Sequence, residues 1–145
     1  MDSLWTYTLQ LPHDPRAVRI ARITLRTVLT THDLGELLDP AELLTNELVT
    51  NAYRHSDGPS CLRVRKMANR LRIGVWDTNP TIPPPFGNGT LRAPEPDSER
   101  GRGLMLVRRW ADNYGGYELG EELSGKCGKL LWFEILRRGA FDIAA

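Results

Sequence analysis

Glu42-Leu-Leu-Thr-Asn-Glu47-Leu-Val-Thr-Asn51-Ala-Tyr-Arg-His55-Ser56 is the stretch on which the fold of this chain turns. At about 3.6 residues per helical turn, Glu47, Asn51 and His55 stand at i, i+4 and i+8 and drift only slowly around the axis. One stripe therefore carries an acid, an amide and an imidazole. Leu44, Leu48, Val49 and Ala52 sweep out the neighbouring arc, so the polar stripe borders a buried face, where a helix lines a cleft. A carboxylate in that place can act as a general base, and an amide oxygen one turn later can hold a hard cation. Taken alone, the same spacing also describes ordinary polar neighbours in solvent.

Upstream, Pro40 suits the first turn of this helix, with Asp39 as its cap. Trp5 to Leu11 alternates large apolar with polar residues, placing Trp5, Tyr7, Leu9 and Leu11 on one side of a first strand that Pro12 ends. Asp14 is read as the cap of a helix with Pro15 at its first position, running to about Thr31. Its core face is Val18, Ala21, Leu25, Val28 and Leu29. Arg16, Arg19, Arg22 and Arg26 gather on another side, either as a solvated face or as a surface for an acidic partner.

Downstream, Ser56-Asp-Gly-Pro is a turn signal, and Leu62–Met67 and Leu71–Trp76 alternate as strands around a hairpin turn at Asn69-Arg70. The second strand runs into Asp77, which then faces whatever cleft lies at the sheet end. From there to Arg100 the chain is crowded with proline, glycine and polar residues, the composition of a lid or binding loop at about 78–100. Gly101-Arg102-Gly103 then opens a helix whose apolar stripe is Leu104, Val107 and Trp110 or Ala111. Glycines before a helix start let backbone N–H groups approach an anion, aided by the helix dipole. Tyr114 to Leu119 and Lys129 to Leu136 are the last two strands.

Strands joined by short turns predict a mixed, mostly antiparallel sheet covered on one face by helices, an α+β two-layer sandwich. A length of 145 residues suits one domain, 1–145. Net charge of +1 nominates no polyanionic partner, and binding to a phosphate backbone wants a concentrated basic footprint, so a nucleic-acid role ranks last. No apolar run approaches the roughly 20 residues of a membrane span, and the N-terminus lacks the pattern of a signal peptide, so a cytoplasmic protein is expected. Cys61 and Cys127 show no metal-ligand spacing and no disulfide framework, and are expected as small buried side chains.

Three separated pieces occur in one order: Glu47-x-x-x-Asn51-Ala52 on a helix, Asp77 closing a strand, and Gly101-Arg102-Gly103-Leu104 opening a later helix after a long loop. In that set the chain resembles the GHKL ATPases, which share the Bergerat nucleotide-binding fold. Within them it is most similar to the small anti-sigma-factor serine kinases and related histidine-kinase-like regulators of bacteria. The resemblance extends from the first strand to the closing Lys129-Leu-Leu-Trp-Phe-Glu134 strand. It implies ATP and Mg²⁺ as cofactors. Asn51 is then the Mg²⁺ ligand, and Glu47 the general base that takes the proton of a substrate serine. Asp77 is the acceptor for the adenine amino group, selecting adenine over guanine because guanine offers a carbonyl there. Gly101 and Gly103 match the box whose backbone wraps the phosphates, with Arg102 or Arg100 adding positive charge. His55 sits where this branch often has a histidine, as a ligand contact or as packing.

Two departures stand out. The family's DxGxG pattern is replaced by Asp77-Thr-Asn-Pro80, and Pro80 restricts both itself and Asn79, so the loop must take another path. The hydroxyl residue that many members carry near the last strands is also not evident, since Lys129-Leu130-Leu131 stands there and Ser124 is the nearest candidate.

By resemblance, then, the chain is expected to bind Mg²⁺-ATP, to phosphorylate a serine of an anti-anti-sigma (STAS-type) partner, and to sequester a sigma factor when unopposed. A homodimer is the family's common state. The alternative is a nucleotide-binding or purely protein-binding regulatory module without kinase activity. A histidine kinase catalytic domain is weaker, because His13, His32 and His55 all lie inside the predicted domain and no dimerising hairpin precedes it.

Overall fold

Period-two alternation in the strand segments becomes a sheet whose two faces differ in kind. The computed structural model describes residues 4–84, 86, 106–119 and 127–137. In chain order the elements are β1 (Trp5–Leu11), α1 (Ala17–Thr31), a 3₁₀ turn (Gly35–Leu37), α2 (Leu38–His55), β2 (Ser60–Met67), β3 (Arg70–Asp77), β4 (Asn113–Leu119) and β5 (Gly128–Leu136). Residues 106–110 are also helical. The strands lie in the order β1-β2-β3-β5-β4, and every described pairing is antiparallel.

Leu62 and Val64 of β2, Leu71, Ile73 and Val75 of β3, and Leu131, Phe133 and Ile135 of β5 all turn to one face and are buried. They share one core with Ala21, Leu25 and Leu29 of α1 and Leu44, Leu48 and Ala52 of α2. Burying each such aliphatic side chain contributes roughly 1.5–3 kcal/mol, which is why the 3.6-residue and two-residue periods dictate this layering. This is the predicted α+β sandwich, with the hairpin loop tightened to Ala68-Asn69 because Met67 pairs with Arg70.

Helix ends are where the sequence reading shifts. Helix α1 starts at Ala17, two residues after Pro15, yet Asp14 still closes its entry by accepting from the Arg16 backbone N–H at 2.8 Å and from the Arg16 guanidinium at 2.7 Å. Those two bonds hold the exposed Asp14 carboxyl down at about 2. At its far end, Asp33 takes a left-handed φ of 60°. Its N–H donates to the Thr30 carbonyl and that of Leu34 to the Leu29 carbonyl, a Schellman stop that tucks Leu34 into the core. Helix α2 grows directly from the 3₁₀ turn, so Asp39 lies inside the first turn instead of capping it.

The arginine row is partly engaged: Arg26 reaches Glu42 of α2 at 2.8 Å and Arg22 at 3.7 Å. On the edge strand β1, Leu11 is buried but Tyr7 is 44% exposed. Trp5 instead stacks on His32 at 4.4 Å, and the Tyr7 hydroxyl bonds its Nε2 at 2.8 Å. Cys61 is half-buried and Cys127 exposed, so the expectation of two buried thiols fails. No helix among the described residues is long and apolar enough to cross a membrane.

Candidate functional site

The polar stripe of α2 lies at the margin of the core, as its spacing requires. Asn51 is 5% exposed, and its Oδ1 has no hydrogen-bond partner among the described residues. An unsatisfied buried acceptor costs about 1–3 kcal/mol, a cost that a donor or a cation bound at Oδ1 would relieve. One turn earlier Glu47 is half-buried, and burial pushes its carboxyl above the ordinary range while Arg54 pulls it back in part. A carboxylate that binds its proton more tightly is a better base when ionised.

Asp77 ends β3 on the same, helix-covered face. Directly across from it in β5 is Lys129, whose Nζ lies 2.9 Å from Asp77 Oδ1 and 2.9 Å from Oδ2. Nζ also donates to the Asn79 carbonyl at 3.1 Å. Both side chains are closed off, at 1% and 2% exposure. Asp77 Oδ1 also accepts the Asn79 backbone N–H at 2.8 Å, and the Asn79 side chain donates to the His55 carbonyl at 2.6 Å. The turn after Asp77 is thereby laced to the last turn of α2, one helical turn beyond Asn51.

Gly128 makes the approach possible. Its φ is +127°, and a Cβ there would fall 1.9 Å from the Asp77 carbonyl oxygen. Only a residue without a side chain lets β5 enter the sheet hard against the end of β3.

Asn51 and Glu47 thus keep the placement their spacing implied, and His55 contributes its backbone carbonyl at the seam. Asp77 is at the predicted strand end but is already engaged by Lys129. Gly101, Arg102 and Gly103 lie outside the described residues, as do Arg100, Leu104, Ser124 and, apart from residues 78–84 and 86, the loop at 78–100. The helix that follows places Val107 in the core and Ala111 partly against it, while Trp110 is 51% exposed.

Among the described residues no three His, Cys, Asp or Glu side chains come together to hold a metal. The donor set fits a magnesium ion in one way: Asn51 Oδ1 as a single protein oxygen, with phosphate and water completing the shell, since Mg²⁺ usually keeps few protein ligands. A separate cavity of about 370 Å³ lies on the opposite face of the sheet, which no helix among the described residues covers, lined among others by Arg63, Arg72, Trp76 and Trp132. It contains none of these site residues.

Lys129 and Asn79 were not anticipated as site residues. A signal was present for the first: Lys129 takes an inward slot in the alternation Lys129, Leu131, Phe133, Ile135, and a buried ammonium demands a counter-charge. Nothing in the sequence indicated that Asn79 would bond to the end of α2.

The family model described as histidine kinase-like ATPase domain matches residues 11–132. No curated protein matches the chain. Among solved structures, the catalytic domain of the histidine kinase ThkA, in a nucleotide-free form, is similar in fold. The TM-score is 0.52 at 13% identity, over 90% of this chain and 96% of that one.

Proposed function

Because the chain belongs to the histidine kinase-like ATPase domain family, we propose that it is an anti-sigma-like regulator that binds Mg²⁺-ATP and transfers phosphate to a serine of a STAS-type partner. The observation that carries this is the buried, unpartnered Asn51 Oδ1 one helical turn from a carboxyl raised by burial, Glu47. Asn51 would hold the cation through its amide oxygen, and the cation would supply charge neutralisation at the phosphate oxygens. Glu47 accepts the proton of the attacking serine hydroxyl. Asp77 sits at the base end of the site, and the box at Gly101, Arg102 and Gly103 gathers the phosphates. A sigma factor as the sequestered partner and a homodimer, in which the β1 edge with Trp5 and Tyr7 is available for pairing, follow the same resemblance; a cytoplasmic protein of one domain over 1–145 follows from the length and from the missing signal pattern.

Isothermal titration with Mg²⁺-ATP and transfer of labelled γ-phosphate to a STAS-type protein of the same genome test this together. Glu47→Ala is expected to abolish transfer and leave binding largely in place; transfer that survives removes Glu47 from the mechanism. A second reading, a nucleotide-binding or purely protein-binding module without transfer, is favoured by the Asp77–Lys129 pair and by Asn79 in place of a glycine. Absence of ATP binding at high micromolar concentration selects the protein-binding form of it.

A further inference from the structure

On the face of the sheet turned away from the helices, we propose a second binding site, for a small planar aromatic anion whose ring lies over Gly74 beside Trp76 and Trp132 and whose acidic group meets Arg63 and Arg65. The cavity of about 370 Å³ there has Gly74 in its lining together with those four side chains and Arg72. It shares no residue with Glu47, Asn51 and Asp77, so the inference is independent of the nucleotide reading.

Strand register builds the hollow. Gly74 of β3 has Arg72 and Trp76 two residues to either side on the same face, Arg63 of β2 opposite it on one flank and Trp132 of β5 on the other. Four large side chains thus surround a position that has none. Backbone geometry does not ask for the glycine, since Gly128 alone among the described glycines has a positive φ. Packing does not ask for it either: a Cβ at Gly74 would lie 3.4 Å from Leu130 Cδ1 and 3.6 Å from the Leu131 carbonyl oxygen, both ordinary contacts. Glycine inside a strand weakens it and marks a place where something approaches the backbone closely. On the next strand, a Cβ at Gly115 would fall 2.8 Å from Trp132 Cζ2, so the indole lies over β4 and leaves the space above Gly74 open.

Charge says what the hollow takes. Arg72 is a fixed wall, 2.7 Å from Glu134 and stacked over the Trp132 ring at 4.4 Å. Arg63 and Arg65 are exposed, and neither has an acidic partner among the described residues. A guanidinium holds a carboxylate or phosphate through paired hydrogen bonds, and indoles offer flat apolar area to an aromatic ring. Trp76 and Trp132 are half-buried, so both can be reached from solvent. The volume lies at the small end of ordinary ligand pockets. Two open guanidiniums suit one acidic group and fall short of the footprint of a nucleic-acid strand. A second copy of this face would set Arg63, Arg65, Arg70 and Arg72 against their own kind, with Glu134 already engaged.

The probes are 2-naphthoate and its uncharged counterpart 2-naphthalenemethanol, titrated into the full chain and followed by the indole N–H signals in NMR. Naphthoate is expected to bind with a dissociation constant of about 1 mM or tighter, and the alcohol about fivefold more weakly or worse. The signals of Trp76 and Trp132 should move while those of Trp5 and Trp110 stay. Gly74→Val fills the floor and is expected to weaken naphthoate by about tenfold or more. Arg63→Gln with Arg65→Gln should erase the difference between acid and alcohol. A wild-type dissociation constant for naphthoate above about 1 mM, or shifts confined to Trp5 or Trp110, overturns the site. Equal affinity of the wild type for acid and alcohol overturns the assignment of an anion. If Gly74→Val does not fold, the arginine variant and the location of the shifts decide.

Discussion

Replacing Gly128 by alanine tests the geometry that brings the site together. The added Cβ would lie 1.9 Å from the Asp77 carbonyl oxygen, 2.9 Å from its carbonyl carbon and 3.0 Å from Thr78 Cα. All three are backbone atoms, which cannot rotate away as a side-chain tip can. To reach ordinary contact at 3.4 Å the chains must part by about 1.5 Å, at the point where β5 pairs with the last residue of β3. Alanine at a φ of +127° adds backbone strain of about 1–3 kcal/mol. Separating Lys129 from Asp77 adds up to about 3–5 kcal/mol, because it strands a buried charge. The expected loss therefore runs from about 2 kcal/mol, if the strands shift and the pair survives, to above 5 if it breaks. Urea unfolding followed by circular dichroism reads this as a lowered midpoint, alongside a fall in melting temperature of roughly 3 °C per kcal/mol for a chain of this size. Gly35→Ala is the control, since a Cβ there meets nothing within 4 Å; its expected effect is no loss and a gain of up to about 1 kcal/mol. A Gly128→Ala midpoint within about 0.5 kcal/mol of wild type, judged against surface substitutions, would refute the close approach of β5 to Asp77.

Three further outcomes are expected. Burial raises the Glu47 carboxyl in the folded state above its ordinary 4.5, so the fold binds the proton more tightly than the unfolded chain and Glu47 contributes stability that is present below that value and lost as pH rises through the folded one. Glu47→Gln should abolish this loss, so that its urea midpoint exceeds that of wild type at pH 8 and the gap closes toward pH 4; a gap that widens on acidification contradicts the sign. Asn51→Leu removes the unpartnered buried oxygen at similar volume and should raise stability by about 1 kcal/mol while eliminating the Mg²⁺-dependent part of nucleotide affinity; titrations with and without the metal decide it. Glu134, buried on the outer face, accepts from Arg72 at 2.7 Å and from Asn113 at 3.0 Å. Glu134→Gln should cost about 1–2 kcal/mol, below the figure for a fully buried pair because Arg72 is about a third exposed and water screens it. A double-mutant cycle with Arg72→Met checks that the two changes are non-additive.

What the sequence determined by itself was whatever depends on repeat distance. The 3.6-residue and two-residue periods are local, so they named both long helices and the five strands and, for α1, α2 and β3, most of the face that each would bury; on β1 the same alternation put Tyr7 on the inner side, where the structure leaves it exposed. Helix starts were less legible: Asp39 reads as a cap, but the preceding 3₁₀ turn had already begun the helix, an outcome set by Leu34 and Leu37 seeking the core. The state of Asp77 could be decided only by tertiary structure. Its neutralising partner is 52 residues away, and the two meet because β5 inserts beside β3 instead of following β4 to the sheet edge. Strand order is a property of the whole packed chain, whereas alternation is a property of a few consecutive residues. A strand-end acid was therefore visible in the sequence, but the buried ammonium that alters its chemistry was not.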